Sequence, residues 1–229
     1  MPTVFITGID TNVGKSYATG LLAAYLQNTG KSVITQKISQ TGCKESSEDI
    51  DIHRQIMEIP LQNVDKTGLT CPYIFEFPAS PHLSASLENK QIDVSKIALA
   101  TSKLQSQYEY VIIEGVGGLC VPLTRDLLLL DYVTEKNYPI IIVTSAKLGS
   151  INHTLMTLEI AASRGISVQG MIYNEFIPSE PEIISDSINI FSDYMKKLKI
   201  QSPIISIPTV KTKEKCIPDF SSLIEELRN

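Results

Sequence analysis

A glycine-rich segment near the start of the chain has the residue types and spacing of a phosphate-binding loop. Residues 8–16 read Gly-Ile-Asp-Thr-Asn-Val-Gly-Lys-Ser and lie between an apolar run and a helical pattern. Backbone N–H groups in such a loop bind phosphate oxygens, and the following helix adds its positive N-terminal end. Lys15 is placed to reach the β- and γ-phosphates of a nucleoside triphosphate, and Ser16 to put a hydroxyl on Mg²⁺. The spacing departs from the general pattern by one position, since the glycine stands at Gly8 and Ile9 occupies its usual place.

A carboxylate and a run of glycines follow a second apolar run. Residues 114–118 read Glu-Gly-Val-Gly-Gly, directly after the predicted strand at residues 110–113. A carboxylate at the end of a strand beside a phosphate-binding loop is where a Mg²⁺ ligand is needed. The glycines would let the backbone approach the reacting γ-phosphate. The alternative interpretation of this segment is a plain glycine turn.

Lys37 comes at the end of another predicted strand, four residues before Thr41. A lysine there could neutralise charge that develops on a transferred phosphoryl group, although a solvated side chain is the alternative. The acidic residues 48–51 offer a second carboxylate for Mg²⁺, from Asp49 or from Asp51. The same residues would also suit the first turn of a helix, where the macrodipole favours negative charge.

Two later strand ends also carry polar residues. Residues 147–153 read Lys-Leu-Gly-Ser-Ile-Asn-His, and Gly149 and Ser150 are placed to cap a helix whose free N–H groups could hold an anion. Ordinary capping is the alternative. Asn174 ends the next predicted strand, where its amide can offer a donor and an acceptor to an adenine edge or simply end a turn. Structural or solvated roles are expected for the three histidines, His53, His82 and His153.

The elements that must position these residues alternate along the chain. Short β-branched runs predict strands at residues 3–7, 32–36, 110–113, 140–143, 168–173 and 204–207. Helical patterns predict helices at residues 16–29, 49–58, 94–104, 151–164, 183–198 and 221–227. Several strands are apolar on both faces, as a parallel sheet covered on both sides requires. The sequence therefore predicts one domain over residues 1–229, a doubly wound α/β fold with a mainly parallel sheet. Ligands bind such folds at the carboxyl ends of the strands.

Composition argues against several other classes of protein. The chain has 229 residues and a formal net charge of −5, without a long basic run, so nucleic-acid binding is not favoured. Its four cysteines form no CxxC pair and its histidines are scattered, which argues against a zinc site and suits reduced thiols in a cytoplasmic protein. We expect no signal peptide, because the first residues show no charged region followed by a cleavage site. We expect no membrane span, because no apolar run approaches ~20 residues.

Taken together, these segments resemble dethiobiotin synthase, an ATP-dependent P-loop family of biotin biosynthesis. The resemblance covers nearly the whole chain. It is carried by residues 8–16, Lys37 with the later Thr-Gly pair, residues 78–82 (Pro-Ala-Ser-Pro-His), residues 114–118, residues 147–153 and Asn174. The departures from the family pattern are mild: Ile9 and Ser16 for threonine, Thr41 for serine and Glu175 for aspartate.

The resemblance implies a ligase that acts on 7,8-diaminopelargonic acid, CO₂ and MgATP. In that family one amine forms a carbamate with CO₂, and a carbamate oxygen attacks the γ-phosphate to give a carbamic–phosphoric anhydride. The second amine then closes the ureido ring of dethiobiotin and phosphate leaves. The implied assembly is a homodimer with active sites at the subunit interface.

The resemblance also implies a role for individual residues. Lys37 is the implied catalytic lysine, together with Lys15. The implied metal ligands are Ser16, Glu114 and an aspartate, for which Asp49 fits best and Asp51 remains possible. The implied nucleotide-binding residues are Asn12, Val13, Gly14, Lys15, Ser16, Tyr17, Asp49, Glu114, Gly115, Val116, Gly117, Asn174, Glu175, Pro208, Thr209 and Val210. The implied diamine contacts are Thr11, Lys37, Thr41 and Pro81, with Gly149, Ser150 and Asn152 of a second subunit at the carboxylate tail.

Two rival functions remain to be weighed. A nucleotide switch of the partitioning or septum-positioning kind carries an additional lysine early in its P-loop, where this chain reads Ile9-Asp10-Thr11. Some such switches also end in a basic amphipathic helix, whereas residues 219–229 are largely acidic here. An amidoligase or amidotransferase ATPase would need a glutaminase domain with a nucleophilic cysteine, and the chain is too short to show one.

Overall fold

The computed structural model describes residues 2–176, 179–209 and 217–226, which form alternating strands and helices. In chain order these elements are β1 (Thr3–Gly8), α1 (Lys15–Asn28), β2 (Val33–Lys37), β3 (Gln40–Thr41), α2 (Glu48–Met57), α3 (Asn63–Lys66), β4 (Ile74–Phe75), α4 (Pro81–Leu87), α5 (Val94–Gln105), β5 (Tyr110–Glu114), α6 (Leu129–Glu135), β6 (Ile140–Ser145), α7 (Ser150–Ser163), β7 (Val168–Asn174), α8 (Pro181–Lys197), β8 (Ile204–Ile207) and α9 (Ser221–Glu226). Each predicted strand and helix is present, with ends that agree to within two residues; Leu227, at the end of the last predicted helix, lies outside the described residues.

Six of the strands form one parallel sheet in the order β2-β5-β1-β6-β7-β8. The short strands β3 and β4 pair separately, also in parallel. Helices cover both faces of the main sheet, so the predicted doubly wound α/β fold is confirmed. None of the helices in the described ranges is long and apolar enough to cross a membrane.

Two apolar cores lie on opposite faces of this sheet. Side chains alternate between the faces along each strand, so Val111 and Ile113 of β5 enter one core and Ile112 enters the other. Helices α5 to α8 cover the first face, and α1 and α9 cover the second. Burial on both faces explains why the strands are continuously apolar.

The register of the sheet brings the strand ends together at one edge. Lys37 pairs with Glu114 across β2 and β5, and Ile6 of β1 also pairs with Glu114. Paired residues on neighbouring parallel strands point their side chains to the same face. Lys37 and Glu114 therefore point to the face covered by α1, the helix that begins at Lys15.

Candidate active site

The loop between β1 and α1 encloses the ammonium group of Lys15. Lys15 Nζ donates a hydrogen bond to the backbone carbonyl of Asp10 at 2.8 Å. Gly14 has a φ of 92°, in the left-handed region, and a Cβ there would lie 2.0 Å from Nδ2 of Asn174. Both the backbone conformation and this close approach require glycine. Since α1 begins at Lys15, the free N–H groups at its start lie beside this cation.

Lys37 is buried and its ammonium group is fully engaged with protein oxygens. Lys37 Nζ lies 2.8 Å from Glu114 Oε1, 2.8 Å from the carbonyl oxygen of Gly115 and 2.7 Å from Asp49 Oδ2. An ammonium group has three protons to donate. Lys37 must therefore release at least one of these partners before it can bind an oxygen of a ligand.

Oxygen atoms of three side chains converge beside Lys37. Ser16 Oγ lies 2.6 Å from Asp49 Oδ1 and 3.0 Å from Glu114 Oε1. Mg²⁺ in ATP-dependent enzymes takes one or two carboxylates and completes its shell with water and phosphate oxygens. This set of donors fits such an ion. Within the described ranges, no group of three His, Cys, Asp or Glu side chains could hold a metal ion without other ligands.

The start of α2 fixes the position of Asp49. The N-cap residue Ser47 accepts a hydrogen bond from the backbone N–H of Ile50 and donates one to Gln40 Oε1 at 2.7 Å. The backbone N–H of Asp49 also donates to Gln40 Oε1, at 3.4 Å. The other candidate, Asp51, instead accepts a hydrogen bond from Ser46 Oγ. Of the two aspartates, Asp49 is therefore the one beside Ser16 and Glu114.

A fully buried histidine lies behind Glu114. His53 Nε2 is 2.7 Å from Glu114 Oε2, and His53 Nδ1 is 3.0 Å from Thr35 Oγ1. The sequence predicts only a structural or solvated role for His53. The spacing could have indicated that His53 lies near the site, because it follows Asp49 by four residues and such residues share one face of a helix.

Charge and burial act against each other in this cluster. Burial opposes the ionised form of Glu114, but Lys37 and the hydrogen bond from His53 outweigh it and hold the pKa of Glu114 well below its usual range. Burial likewise opposes the charge of Lys37, but Glu114 and Asp49 raise the Lys37 pKa above its ordinary value. Burial and then the nearby Lys37 lower the pKa of Lys15 to about 8. The Lys37–Glu114 pair therefore stays ionised at neutral pH.

A cavity of about 750 Å³ opens over this cluster. Most of the predicted nucleotide, metal and diamine residues line it: Thr11, Asn12, Val13, Gly14, Lys15, Ser16, Tyr17, Lys37, Thr41, Asp49, Glu114, Val116, Gly117, Asn174, Pro208 and Thr209. Glu48, from the acidic residues 48–51, also lines it, and the sequence did not point to five further residues of the lining: Ser39, Gln40, Ile52, Ser145 and Phe176. A triphosphate that enters this cavity would meet both lysines and both carboxylates.

The remaining predicted residues lie around this lining or outside the described ranges. Gly115 contributes its carbonyl to Lys37, and the backbone N–H of Glu175 donates to the carbonyl of Ile207. Pro81 is the first residue of α4. Gly149, Ser150 and Asn152 lie at the start of α7, where Ser150 Oγ is 3.2 Å from Oγ of the lining residue Ser145. Val210 lies outside the described residues.

Asn174 joins the end of β7 to the P-loop. Its Nδ2 donates to the carbonyl of Val13 at 3.0 Å, and its Oδ1 accepts from the backbone N–H of Phe176 at 3.2 Å. The amide keeps one N–H and one lone pair beyond these bonds. The predicted contact with adenine is compatible with that remaining capacity.

Comparison with known proteins identifies close relatives. A family model described as an AAA domain matches residues 2–210. The ATP-dependent dethiobiotin synthetase BioD of Chlorobaculum tepidum is 47% identical over 205 residues, which cover 89% of this chain and 86% of that protein. The ATP-dependent dethiobiotin synthetase BioD 2 of Haemophilus influenzae is 51% identical over 173 residues, or 76% of this chain and 91% of that protein. Among solved structures, the MinD cell division protein of Aquifex aeolicus aligns with a TM-score of 0.56 and 16% identity, over 100% of this chain and 96% of that one. A likeness at that identity concerns the fold alone.

Proposed function

The chain belongs to the family of ATP-dependent dethiobiotin synthetases, and on that premise we propose that it forms the ureido ring of dethiobiotin from 7,8-diaminopelargonic acid, CO₂ and ATP in the cavity at the strand ends. The enzyme is a ligase. One amine of the diamine binds CO₂ as a carbamate, whose oxygen attacks the γ-phosphorus while the bond to ADP breaks. The second amine then attacks the carbamate carbon, the bond from that carbon to the phosphate-bearing oxygen breaks, and phosphate leaves.

One observation carries the proposal: two lysines and two carboxylates meet in a single cavity large enough for a triphosphate. The first step brings an anionic carbamate onto an anionic phosphate, so cations must offset their repulsion. Lys15 is held beside the helix N-terminus that would receive the β- and γ-phosphates. Lys37 lies between Asp49 and Glu114, where its ammonium can turn toward the transferred phosphoryl group.

Ser16, Asp49 and Glu114 would hold Mg²⁺. All three contribute oxygen atoms, as this ion prefers, and two of them are carboxylates. When bound, the ion would supply positive charge at the β- and γ-phosphate oxygens. Lys37 presently bridges the same two carboxylates, so we expect it to leave at least one of them in the loaded enzyme and to place its charge on the nucleophile or the γ-phosphate.

The nucleotide and the diamine would lie at different ends of the cavity. Residues 12–17 would bind the phosphates, and Asn174, Pro208 and Thr209 would lie near the base. Thr11 and Thr41 would contact the diamine close to Lys37, with Pro81 beyond them. These positions match the family pattern, and all of them except Pro81 line the cavity.

A second copy of the chain would complete the diamine site. Gly149, Ser150 and Asn152 open α7 outside the cavity lining, where free N–H groups suit the carboxylate tail of the substrate. The adjoining surface exposes apolar side chains, with Leu148 100% and Met156 63% exposed. A homodimer that covers this surface would hold the tail while Lys37 acts on the amine end.

The rival switch function has less support. Septum-positioning and partitioning ATPases share this fold, and the MinD likeness is of that kind. The family relationship is instead carried by identities of 47% and 51% over most of the chain. The early lysine of a switch P-loop is also missing from Ile9-Asp10-Thr11.

The direct assay supplies the diamine, bicarbonate and MgATP and measures phosphate release. We expect release that requires all three and that is matched by dethiobiotin in the product. Phosphate release that is independent of the diamine would contradict the substrate assignment and would favour a nucleotide switch.

A further inference from the structure

We propose that His53 is a positioning residue that holds the Glu114 carboxylate from behind, so that its other oxygen faces Lys37 and Ser16. The inference rests on the proposed role of Glu114 as a ligand of Mg²⁺. Glu114 Oε2 lies 2.7 Å from His53 Nε2, whereas Oε1 is shared between Lys37 at 2.8 Å and Ser16 at 3.0 Å. The two carboxylate oxygens therefore face different partners.

The direction of the hydrogen bonds follows from the groups on both sides of His53, because the carboxylate of Glu114 can only accept at Nε2. Arg54 can only donate, and its NH1 lies 2.7 Å from Thr35 Oγ1, so the hydroxyl oxygen of Thr35 accepts that bond. The single proton of the hydroxyl is then free for His53 Nδ1 at 3.0 Å. A histidine that accepts at Nδ1 carries its proton on Nε2, and this N–H donates to Glu114.

This chain of bonds is fixed at its far end by a buried ion pair. Arg54 Nε and NH2 bind the two carboxylate oxygens of Asp65 at 2.9 and 2.8 Å. Asp65 also accepts from Thr70 Oγ1 at 2.7 Å. His53 and Thr35 are fully buried. A rigid series of partners therefore runs from Asp65 to the oxygen of Glu114 that faces away from the cavity.

The arrangement matters most when Lys37 moves. All three protons of Lys37 are engaged with Glu114, Gly115 and Asp49, so binding a ligand requires Lys37 to give up a partner. If it leaves Glu114, His53 still donates to Oε2 and keeps this side of the buried carboxylate satisfied and oriented. Burying a carboxylate without a hydrogen-bond donor costs free energy, and donors behind metal ligands orient them and raise the affinity for the metal.

The test measures binding of Mn²⁺ to the protein in the presence of ADP, by electron paramagnetic resonance, along with steady-state kinetics. His53→Leu removes the donor to Glu114 and should weaken Mn²⁺ binding by about 10- to 100-fold. It should lower kcat at a fixed Mg²⁺ concentration while the KM for the diamine stays unchanged. His53→Gln keeps an N–H at the position of Nε2 and should restore most of the Mn²⁺ affinity.

A matched pair of variants covers the case in which His53→Leu fails to fold. Thr35→Val removes the hydroxyl behind His53 and should weaken Mn²⁺ binding in the same direction, by a smaller factor. Thr101→Val makes the same substitution at another fully buried threonine, one that binds Gln36 and has no bond to the site. It should leave Mn²⁺ binding unchanged even if it lowers the melting temperature.

The result that would overturn the inference is equal Mn²⁺ affinity in wild type, His53→Leu and Thr35→Val. A histidine that only fills space would also let His53→Leu and His53→Gln behave alike. Failure of the proposed function has a different signature, because the wild type itself would then release no diamine-dependent phosphate.

Discussion

At the scale of single residues, the proposed chemistry depends on the exchange of partners by Lys37. Its ammonium is held by Asp49, Glu114 and a carbonyl in a buried position. Two carboxylates keep it charged, and the same carboxylates are the proposed metal ligands. An incoming cation would compete with Lys37 for the two carboxylates, and a triphosphate would compete with the carboxylates for Lys37. Lys37 therefore already lies beside the proposed position of the γ-phosphate.

Replacing Lys37 tests this role. Lys37→Ala should reduce dethiobiotin formation by about 100- to 1,000-fold, because a positioned charge that stabilises the transition state is lost. Circular dichroism should report an intact fold. Lys31→Ala is the control, since it removes a partly exposed lysine paired with Glu109 and should leave turnover unchanged. Near-normal turnover in Lys37→Ala would contradict the proposed catalytic role of Lys37.

The lowered pKa of Lys15 predicts that nucleotide binding takes up protons. In the free protein its pKa is about 8 because the ammonium is buried close to Lys37. A bound triphosphate favours the charged form and raises that pKa. At pH 8 binding should therefore take up about half a proton, and at pH 6, well below the free pKa, almost none. Calorimetry of ATP binding in buffers with different ionisation enthalpies measures this uptake, and identical enthalpies at pH 8 would contradict it.

Part of this site could be predicted from single residues and part could not. Lys37 and Glu114 follow apolar runs, so their place at strand ends could be inferred from the order of residues alone. Lys15 could be placed at the start of the helix that follows the glycine-rich loop. Gln40 has no such signal, because its role depends on a loop that folds back to the start of α2. The roles of these residues in catalysis stay predictions.

At the scale of elements, α2 carries both Asp49 and His53 to Glu114. Its N-cap and acidic first turn follow the ordinary preferences of a helix start. The helix-start interpretation of the acidic cluster is therefore confirmed, and the role of Asp49 as a metal ligand stays a prediction. A stable helix start and a proposed metal ligand coincide at Asp49.

Removal of the N-cap tests whether α2 positions the metal ligand. Ser47→Ala should lower the free energy of unfolding by about 1 kcal/mol and should raise the Mg²⁺ concentration needed for half-maximal turnover. Asp93→Ala is the control, because Asp93 caps α5 by accepting from Ser95 and does not line the cavity. Both variants should lose stability in chemical denaturation, and only Ser47→Ala should change the response to Mg²⁺. A normal Mg²⁺ response in Ser47→Ala would show that the N-cap of α2 does not position the metal ligand.

Elements of ordinary length could be predicted, and most of the short ones could not. The strands of the main sheet and the long helices have enough residues to display a period. Strands β3 and β4 have two residues each, and α3, α4 and α6 have four to seven. A segment of fewer than two helical turns seldom shows its periodicity, and the sequence does not predict these pieces, although β3 carries Thr41 into the cavity lining. Helix α9, with six residues, is the short helix that the sequence does predict.

At the scale of the whole molecule, the strand order brings distant segments together. The sequence predicts a parallel sheet, but the order β2-β5-β1-β6-β7-β8 depends on long-range pairing that local patterns do not encode. That order places Glu114 beside Lys37, although 77 residues separate them. It also leaves Asn174, at the end of β7, in contact with the P-loop.

Substitutions at two glycines distinguish the effect of the contact between Asn174 and the P-loop from the effect of backbone strain. Gly14 and Gly30 both have positive φ, but a Cβ would meet Asn174 at 2.0 Å in the first case and nothing within 4 Å in the second. Gly30→Ala should cost about 1–2 kcal/mol of stability and leave nucleotide binding intact. Gly14→Ala should abolish ADP binding, because the loop must shift away from β7. Equal ADP affinity in the two variants, measured by calorimetry, would contradict this packing.

The most direct test of the central claim follows the oxygen of the carbamate. If the cavity directs a carbamate oxygen onto the γ-phosphorus, a single turnover with ¹⁸O-labelled bicarbonate, quenched before the label exchanges with water, should leave one ¹⁸O in the released phosphate. Mass spectrometry of that phosphate gives the result. Phosphate without the label, formed together with dethiobiotin, would mean that the carbamate never attacked the nucleotide and that Lys37 and Lys15 serve another step.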